Sequence, residues 1–436
     1  MTLEHLHSVP NLTTALSGPL QQIETHLLEH VVDIETWFRH QWQQTPAPFY
    51  ASTDLRNAGF KLAPVDTNLF PAGFNNLNPA FMPLCIQAIQ SAIEHICPQA
   101  NQILLIPENH TRNTFYMENI ATLQDIIRKA GFDIHIGSLL PDINQAQSLE
   151  LPSGRKLTLE PLLRQDNRVG VKDFTPCMIL LNNDLSAGRP AILEGLEQPI
   201  IPPLALGWSN RLKSGHFEHY KQVSDEFARM IDIDPWLISP LFMHCGEIDF
   251  MKRDGETCLA DNVDTLLNNI RTKYAEHGVD RDPFVVIKAD SGTYGMGIMT
   301  AHSADDIRNL NRKQRNRMAA TKGGQQTSRV IIQEGVYTFE TWGKEQAVSE
   351  PVVYMIDHFV VGGFYRVHTR RGANENLNAP GMHFEPLAFA EPGIAPERDL
   401  APHADVNRFY AYGVIARLAS LAAARELKDS GTITAN

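Results

Sequence analysis

The chain has 436 residues, 43% of them hydrophobic and 20% charged, the composition of an ordinary globular protein long enough for two or three packed units. A formal net charge of −12 argues against nucleic acid as an obligatory partner, because neutralising a phosphate backbone needs net positive surface. No run approaches the roughly 18 apolar residues that span a bilayer, and the opening MTLEHLHSVPNL lacks the basic region and apolar core of a secretory signal. The expectation is a cytoplasmic protein with no membrane partner. Cys85, Cys97, Cys177, Cys245 and Cys258 are scattered, with no CxxC and no histidine at ligand spacing. That pattern fits reduced thiols and neither a disulfide framework nor a zinc site.

Residues 14–43 have helical spacing, with Leu20, Ile23, Leu27, Val31 and Ile34 on one face. Short strand-like runs follow from Tyr50 to Phe70, broken by Gly, Pro and Asn. From about 79 to 205 the pattern alternates: helix 81–96, strand 102–106, helix 119–130, strand 133–136 and strand 178–181. This rhythm predicts an open α/β unit with parallel strands, in which ligands gather at the carboxyl ends of the strands. Two polar segments fall there, PENHTRNT from Pro107 and NNDLSAGR from Asn182. They are the candidate pocket for a small polar substrate, with Asn182 in one and Arg112 in the other.

Helical regions over 217–230 and 263–277 lead to Val285-Val286-Ile287, a buried strand that delivers Lys288 at its end. Then comes Asp290-Ser291-Gly292-Thr293-Tyr294-Gly295-Met296-Gly297. Glycine lets the backbone approach a ligand closely, and successive N–H groups in such a loop make an anion site to which a lysine adds a full charge. Downstream the pattern gives a helix over 304–319, strands at 330–336, 352–356 and 358–368, a last strand at 383–389, and a packed amphipathic C-terminal helix over 409–427. The expected division is 1–78, contributing metal and substrate residues, 79–215 as the open α/β substrate unit, and 216–436 as the nucleotide unit with its glycine lid.

Four features carry chemistry in a consistent order. Lys288 with its glycine loop suits nucleotide phosphates. Gln333-Glu334-Gly335-Val336 ends a strand where a connector can offer backbone groups to an adenine edge and Glu334 an acceptor to its exocyclic amine. Arg366 lies on a strand where a guanidinium can bridge transferring phosphate and developing oxyanion charge. Asp66 and Asn68, at i and i+2 of a strand, point to one face and offer the hard oxygen donors that Mg²⁺ requires. Singly, each has a plain structural use: an ion pair, a solvated turn or a cap. Their joint occurrence in strands flanking a glycine loop carries the reading.

With those residues in place the chain resembles the ATP-grasp superfamily, and more closely the bacterial ATP-grasp type of glutamate–cysteine ligase. The resemblance rests on YASTDLRNAGFKLAPVDTNLFPAGFNNL, KADSGTYGMGIM and VVGGFYRVHT…NENLNAPGMHFEPL. It implies an α/β (α+β) fold of ATP-grasp subdomains packed on an open α/β substrate domain, arranged as in eukaryotic-type glutathione synthetases. It further implies that Asp66 and Asn68 ligate Mg²⁺, and that Lys288, Ser291, Gly292, Gly295 and Gly297 hold ATP. Gln333, Glu334 and Val336 would line the adenine, Arg366 would touch the transferred phosphate, and Asn376 and Asn378 would lie on a second phosphate loop. Arg56 matches a substrate-contacting arginine, and Arg56 and Arg112 would take substrate α-carboxylates. The third metal ligand is left between Asp290 and Glu385, and a second nucleotide lysine between Lys252 and Lys273.

The reaction implied is ligation of the L-glutamate γ-carboxylate to the amine of L-cysteine through an acyl phosphate, with ATP and Mg²⁺. The same scaffold also fits a glutathione synthetase or another amino-acid ligase, and a nucleotide- or amino-acid-binding protein without turnover is the alternative of a different class. Whether the chain forms a homo-oligomer is left open by the sequence.

Overall fold

In a computed structural model of the chain, residues 12–13, 19–109, 112–292, 297–319, 327–386 and 407–430 are described. They form a mixed α/β protein built on three principal sheets. The N-terminal helical pattern is two helices, Pro19–Glu29 and Val31–Gln44, parted at His30.

The alternating region forms a six-stranded sheet ordered Ile200–Ile201, Met178–Asn182, Gln102–Pro107, Asp133–Ser138, Lys156–Pro161 and Gln147–Glu150. All pairs are parallel except the last. Its central strands read as continuous apolar runs because helices Met82–Ile96 and Thr114–Lys129 cover one face. The other face packs on Leu69, Phe70, Leu185, Leu206 and the end of the C-terminal helix.

A second sheet is antiparallel. Its long strands Ala347–Ile356 and Phe359–His368 pair with each other, and His383–Pro386 adds to the outer edge. The inner edge of Ala347–Ile356 is shared by Glu340–Trp342 and by Tyr50–Asn57, which turns back into Leu62–Asn68. The N-terminal strands thereby join residues some 300 positions away. A third sheet, also antiparallel, runs Phe242–Gly246, Arg329–Glu334, Val285–Ala289 and Ile298–Ala301. Helix Glu256–Glu276 buries Leu259, Val263, Leu266, Leu267 and Ile270 against it.

The C-terminal helix, Asn407–Asp429, departs from the amphipathic expectation. Ala411 through Ala424 are buried on every side, among the helices Pro19–Glu29, Val31–Gln44 and Lys213–Met230 and the large sheet. Two of its arginines form ion pairs with neighbouring helices: buried Arg417 meets Glu35 at 2.8 and 2.9 Å, and half-buried Arg425 meets Glu226 at 2.6 and 2.8 Å. The helix is a central pillar. No helix among the described residues is long and apolar enough to cross a membrane.

Candidate active site

The three sheets meet around a cavity of about 840 Å³, near the top of the ~300–1,000 Å³ range of small-molecule sites. Strand Leu62–Asn68 brings Asp66 and Asn68 to the cavity wall, and strand Val285–Ala289 brings Lys288 beside them. Between them stands Lys213, in the first turn of helix Lys213–Met230. Its ammonium lies 3.3 Å from the Asp66 carboxylate and 3.8 Å from the centre of the Trp208 ring. Lys288 Nζ donates to the Val65 carbonyl at 2.6 Å and to Gln333 Oε1 at 2.8 Å.

Charge and burial set the protonation states here. Burial works to raise the Asp66 pKa, but Lys213 and Lys288 outweigh it and hold the carboxyl at about 2. Asp66 is therefore an ionised group, and its side chain is 40% exposed, toward the cavity it lines. Burial brings Lys288 down to about 8 against the pull of Asp66. Gly292 lines the cavity with φ of +92°, a conformation that a side chain would strain.

At the junction with the large sheet, Arg366 donates from Nη1 to Asp54 at 2.9 Å and to Glu350 at 2.5 Å. Glu350 also accepts from Arg56 at 2.9 Å. Burial disfavours charge on Glu350, but the two guanidiniums hold its pKa below the usual value. For Asp54 burial prevails over Arg366, and the pKa is raised. Arg366 Nε is buried with no hydrogen-bond partner among the described residues, an orphaned donor beside the cavity that an anionic ligand would satisfy.

The far lobe is built at the carboxyl ends of the parallel strands. Tyr116 Oη donates to the Asn182 carbonyl at 2.6 Å, Asn119 Nδ2 to Asn182 Oδ1 at 3.1 Å, and Asn182 Nδ2 to the Pro71 carbonyl at 2.8 Å. Glu108 accepts from the Asp184 N–H at 2.9 Å. Phe115 stands 80% exposed at the rim.

A protein-family model for glutamate–cysteine ligase matches residues 24–427, nearly the whole chain and all of the cavity. The chain belongs to the glutamate–cysteine ligase family. It is an enzyme, a ligase whose small-molecule substrates are L-glutamate and L-cysteine. The crystal structure of a protein provisionally named gamma-glutamylcysteine synthetase, from Methylobacillus flagellatus KT, is 62% identical with a TM-score of 0.90, covering 97% of this chain and 99% of that one. Two distant structures are also similar: a D-alanyl-alanine synthetase A from Vibrio cholerae O1 (10% identity, TM-score 0.32, 73% of this chain and 81% of that one) and a glutathione synthetase-like effector from Globodera pallida (8%, 0.36, 84% and 80%). Likeness at that level carries no argument. No curated protein matches the chain.

Of the residues expected from sequence, the ligase brings Arg56, Asp66, Asn68, Lys288, Gly292, Gln333, Glu334, Val336, Arg366, Asn376, Asn378 and Asn182 to the one cavity. Asn68 Oδ1 already accepts from the Phe70 N–H at 2.9 Å, which leaves it one lone pair. Ser291 and Gly297 flank the loop off the lining, and Gly295 lies outside the described residues.

Other expectations need correction. Arg56 is not free for a substrate carboxylate: besides Glu350 it donates to the carbonyls of Val336 at 3.1 Å and Glu375 at 2.5 Å, pinning the segment that carries Asn376. Glu334 cannot offer its side chain to adenine, because Lys61 (2.7 Å), Trp236 Nε1 (3.1 Å) and the Leu241 N–H (2.8 Å) occupy it in the interior. Arg112 is exposed and off the lining. Asp290 is no metal ligand facing this cavity; it accepts from Ser214 N and Oγ at 2.8 and 2.7 Å, capping the helix that carries Lys213. Glu385 is also off the lining and lies 3.7 Å from His383. Lys252 and Lys273 pair with Asp249 and Asp234, away from the cavity. Sequence reasoning missed Lys213, Asp54 and Glu350. The first follows a polar loop at the start of a helical pattern, a detectable signal; the other two become visible only through strand register, Asp54 opposite Asp66 and Glu350 opposite Arg366.

Proposed function

We propose that this ligase works on an ATP-grasp scaffold, with ATP and Mg²⁺ in the cavity, and activates the glutamate γ-carboxylate as an acyl phosphate. The observation that carries this reading is the ionised Asp66 carboxylate held open to the cavity between two ammonium groups, Lys213 and Lys288. Two ammonium groups and a carboxylate beside a glycine loop suit nucleotide phosphates together with a metal ion. The donor set fits Mg²⁺: Asp66 and Asn68 would hold it through hard oxygens, with Asp54 the neighbouring carboxylate. When bound, the ion neutralises phosphate oxygens and so lowers the barrier to phosphoryl transfer.

The chain's own residues supply the rest. Lys213 and Lys288 hold phosphate oxygens. Arg366, fixed by Asp54 and Glu350, presents a guanidinium to the charge that develops on the transferred group and on the collapsing tetrahedral centre. The amine of cysteine attacks the acyl carbon, phosphate leaves, and no protein nucleophile is required. Alignment within the polar lobe of Asn119, Asn182 and Tyr116 supplies the remaining acceleration.

The test is ADP release measured with ATP and Mg²⁺ while glutamate and cysteine are each omitted in turn, with products weighed by mass spectrometry. Expected is full ADP release only with both amino acids, and γ-glutamylcysteine as product. Release that needs a preformed dipeptide as donor would place the chain with the synthetases that act on such dipeptides.

A further inference from the structure

On the side of the third sheet away from the active-site cavity, two cysteines 13 residues apart in sequence converge. Cys245 lies in edge strand Phe242–Gly246, and Cys258 in the first turn of helix Glu256–Glu276, which packs on that strand. Their sulfurs are 3.6 Å apart. Asn262, one helical turn beyond Cys258, donates Nδ2 to Cys245 Sγ at 2.8 Å and approaches Cys258 Sγ at 3.7 Å. One amide thus bridges both sulfurs and holds them face to face. Cys245 is buried and also lines a separate cavity of about 420 Å³, together with His244, Glu247 and Arg329. Cys258 is exposed. Of the others, Cys85 is sealed in the core and Cys177 donates to Asn101.

We infer that Cys245 and Cys258 form a reversible dithiol site that a small-molecule disulfide oxidises to an intramolecular disulfide. Two features assign the order of attack. Cys258 is open to solvent, where a dissolved disulfide can reach it. Cys245 is shielded, and burial pushes its thiol up to about 11, so it is the resolving thiol. The Cys258 thiolate attacks one sulfur of a disulfide RSSR, forming Cys258–S–S–R and expelling RS⁻, which takes up the proton that Cys258 lost. Cys245 then gives up its proton and attacks Cys258 Sγ, forming the Cys245–Cys258 bond and expelling the second thiol. Two protein thiols are oxidised and one disulfide is reduced to two RSH, so electrons and protons balance. Forming the bond brings the sulfurs from 3.6 Å to the ~2.05 Å of a disulfide. The enzyme consumes one thiol amino acid and makes a thiol dipeptide, so disulfides of the required class arise from its own substrate and product.

The experiment treats the reduced, full-length enzyme with hydroxyethyl disulfide, quenches it in acid, alkylates the remaining thiols under denaturing conditions, and maps peptides by mass spectrometry. Expected is a fall from five alkylatable thiols to three, a cross-linked peptide pair containing Cys245 and Cys258, and full recovery on adding dithiothreitol. Cys245→Ser should instead trap a stable mixed disulfide on Cys258. Cys258→Ser, at an exposed position that folding tolerates, should leave Cys245 unmodified. A wild-type enzyme that carries only a lasting mixed disulfide on Cys258, or whose Cys258 reacts no faster than Cys97, would overturn the assignment. So would an unchanged Cys245 reactivity in Cys258→Ser.

Discussion

At the scale of single residues, the site turns on how few charges are left unspent. Arg56, Lys61, Glu334 and Glu350 are all buried and all paired, whereas Asp66, held ionised by Lys213 and Lys288, is substantially open to the cavity. Asp66→Asn keeps the size and removes the charge. If Asp66 holds Mg²⁺, turnover should fall about a hundredfold or more, since several kcal/mol of charge stabilisation is lost, with a raised Mg²⁺ requirement and little change in melting temperature. Near-normal turnover across a Mg²⁺ titration would remove Asp66 from the metal site. The pH dependence follows from Lys288, which burial holds at about 8. As pH rises through 8 the ammonium loses its proton, so nucleotide affinity should fall about tenfold or more, the worth of a charge-assisted hydrogen bond. Lys288→Arg should flatten that profile, because a guanidinium stays charged. Calorimetric titration at several pH values checks both. Stability runs the other way: the unfolded lysine, near 10.5, binds its proton more tightly than the folded one, so this group's contribution rises between about pH 8 and 10.5.

At the scale of elements, the helix Lys213–Met230 ties the folded frame to the proposed phosphate site. Its first turn carries Lys213 into the cavity, and Asp290, from the end of the Lys288 strand, satisfies the Ser214 N–H and hydroxyl and accepts the Lys213 N–H through its backbone carbonyl at 2.8 Å. Asp290→Ala should cost about 1–3 kcal/mol of stability and weaken nucleotide binding while leaving the Mg²⁺ requirement unchanged. A shifted Mg²⁺ optimum with unaltered melting would restore Asp290 as a ligand. The same contact shows where sequence reading stops. The parallel strands were legible because apolar runs alternating with helical spacing reflect local burial. Lys288 and its loop were legible for the same local reason. Asp290 was read as a ligand because it stands beside the loop, yet its partner is 76 residues away. The excursion strands Gln147–Glu150 and Lys156–Pro161 escaped notice because much of their surface is exposed and polar, and Phe242–Gly246 because an edge strand ending in glycine lacks an apolar run.

At the scale of the whole molecule, long-range pairs decide how the sheets lock together. Lys61, on the N-terminal hairpin, and Glu334, on the third sheet, are 273 residues apart and both fully buried. Burial lowers Lys61 to about 8, with Glu334 opposing the fall. Removing one partner leaves a buried charge without compensation, so Lys61→Met should destabilise the protein by about 3–5 kcal/mol. Lys61→Met with Glu334→Gln should recover much of that loss, as chemical denaturation of the two variants would measure. A single variant as stable as the wild type would show that the pair is incidental. The C-terminal helix shows the same limit. Its arginines break the apolar run, and their partners Glu35 and Glu226 come from helices about 380 and 200 positions earlier, which periodicity does not reveal.

The most direct test of the proposed chemistry follows one oxygen atom. Glutamate labelled with ¹⁸O in its γ-carboxylate is incubated with ATP, Mg²⁺, cysteine and the enzyme, and the released phosphate is weighed. Activation through an acyl phosphate transfers one carboxylate oxygen to phosphate, so singly labelled phosphate should appear in step with the dipeptide. Unlabelled phosphate formed alongside γ-glutamylcysteine would contradict the mechanism.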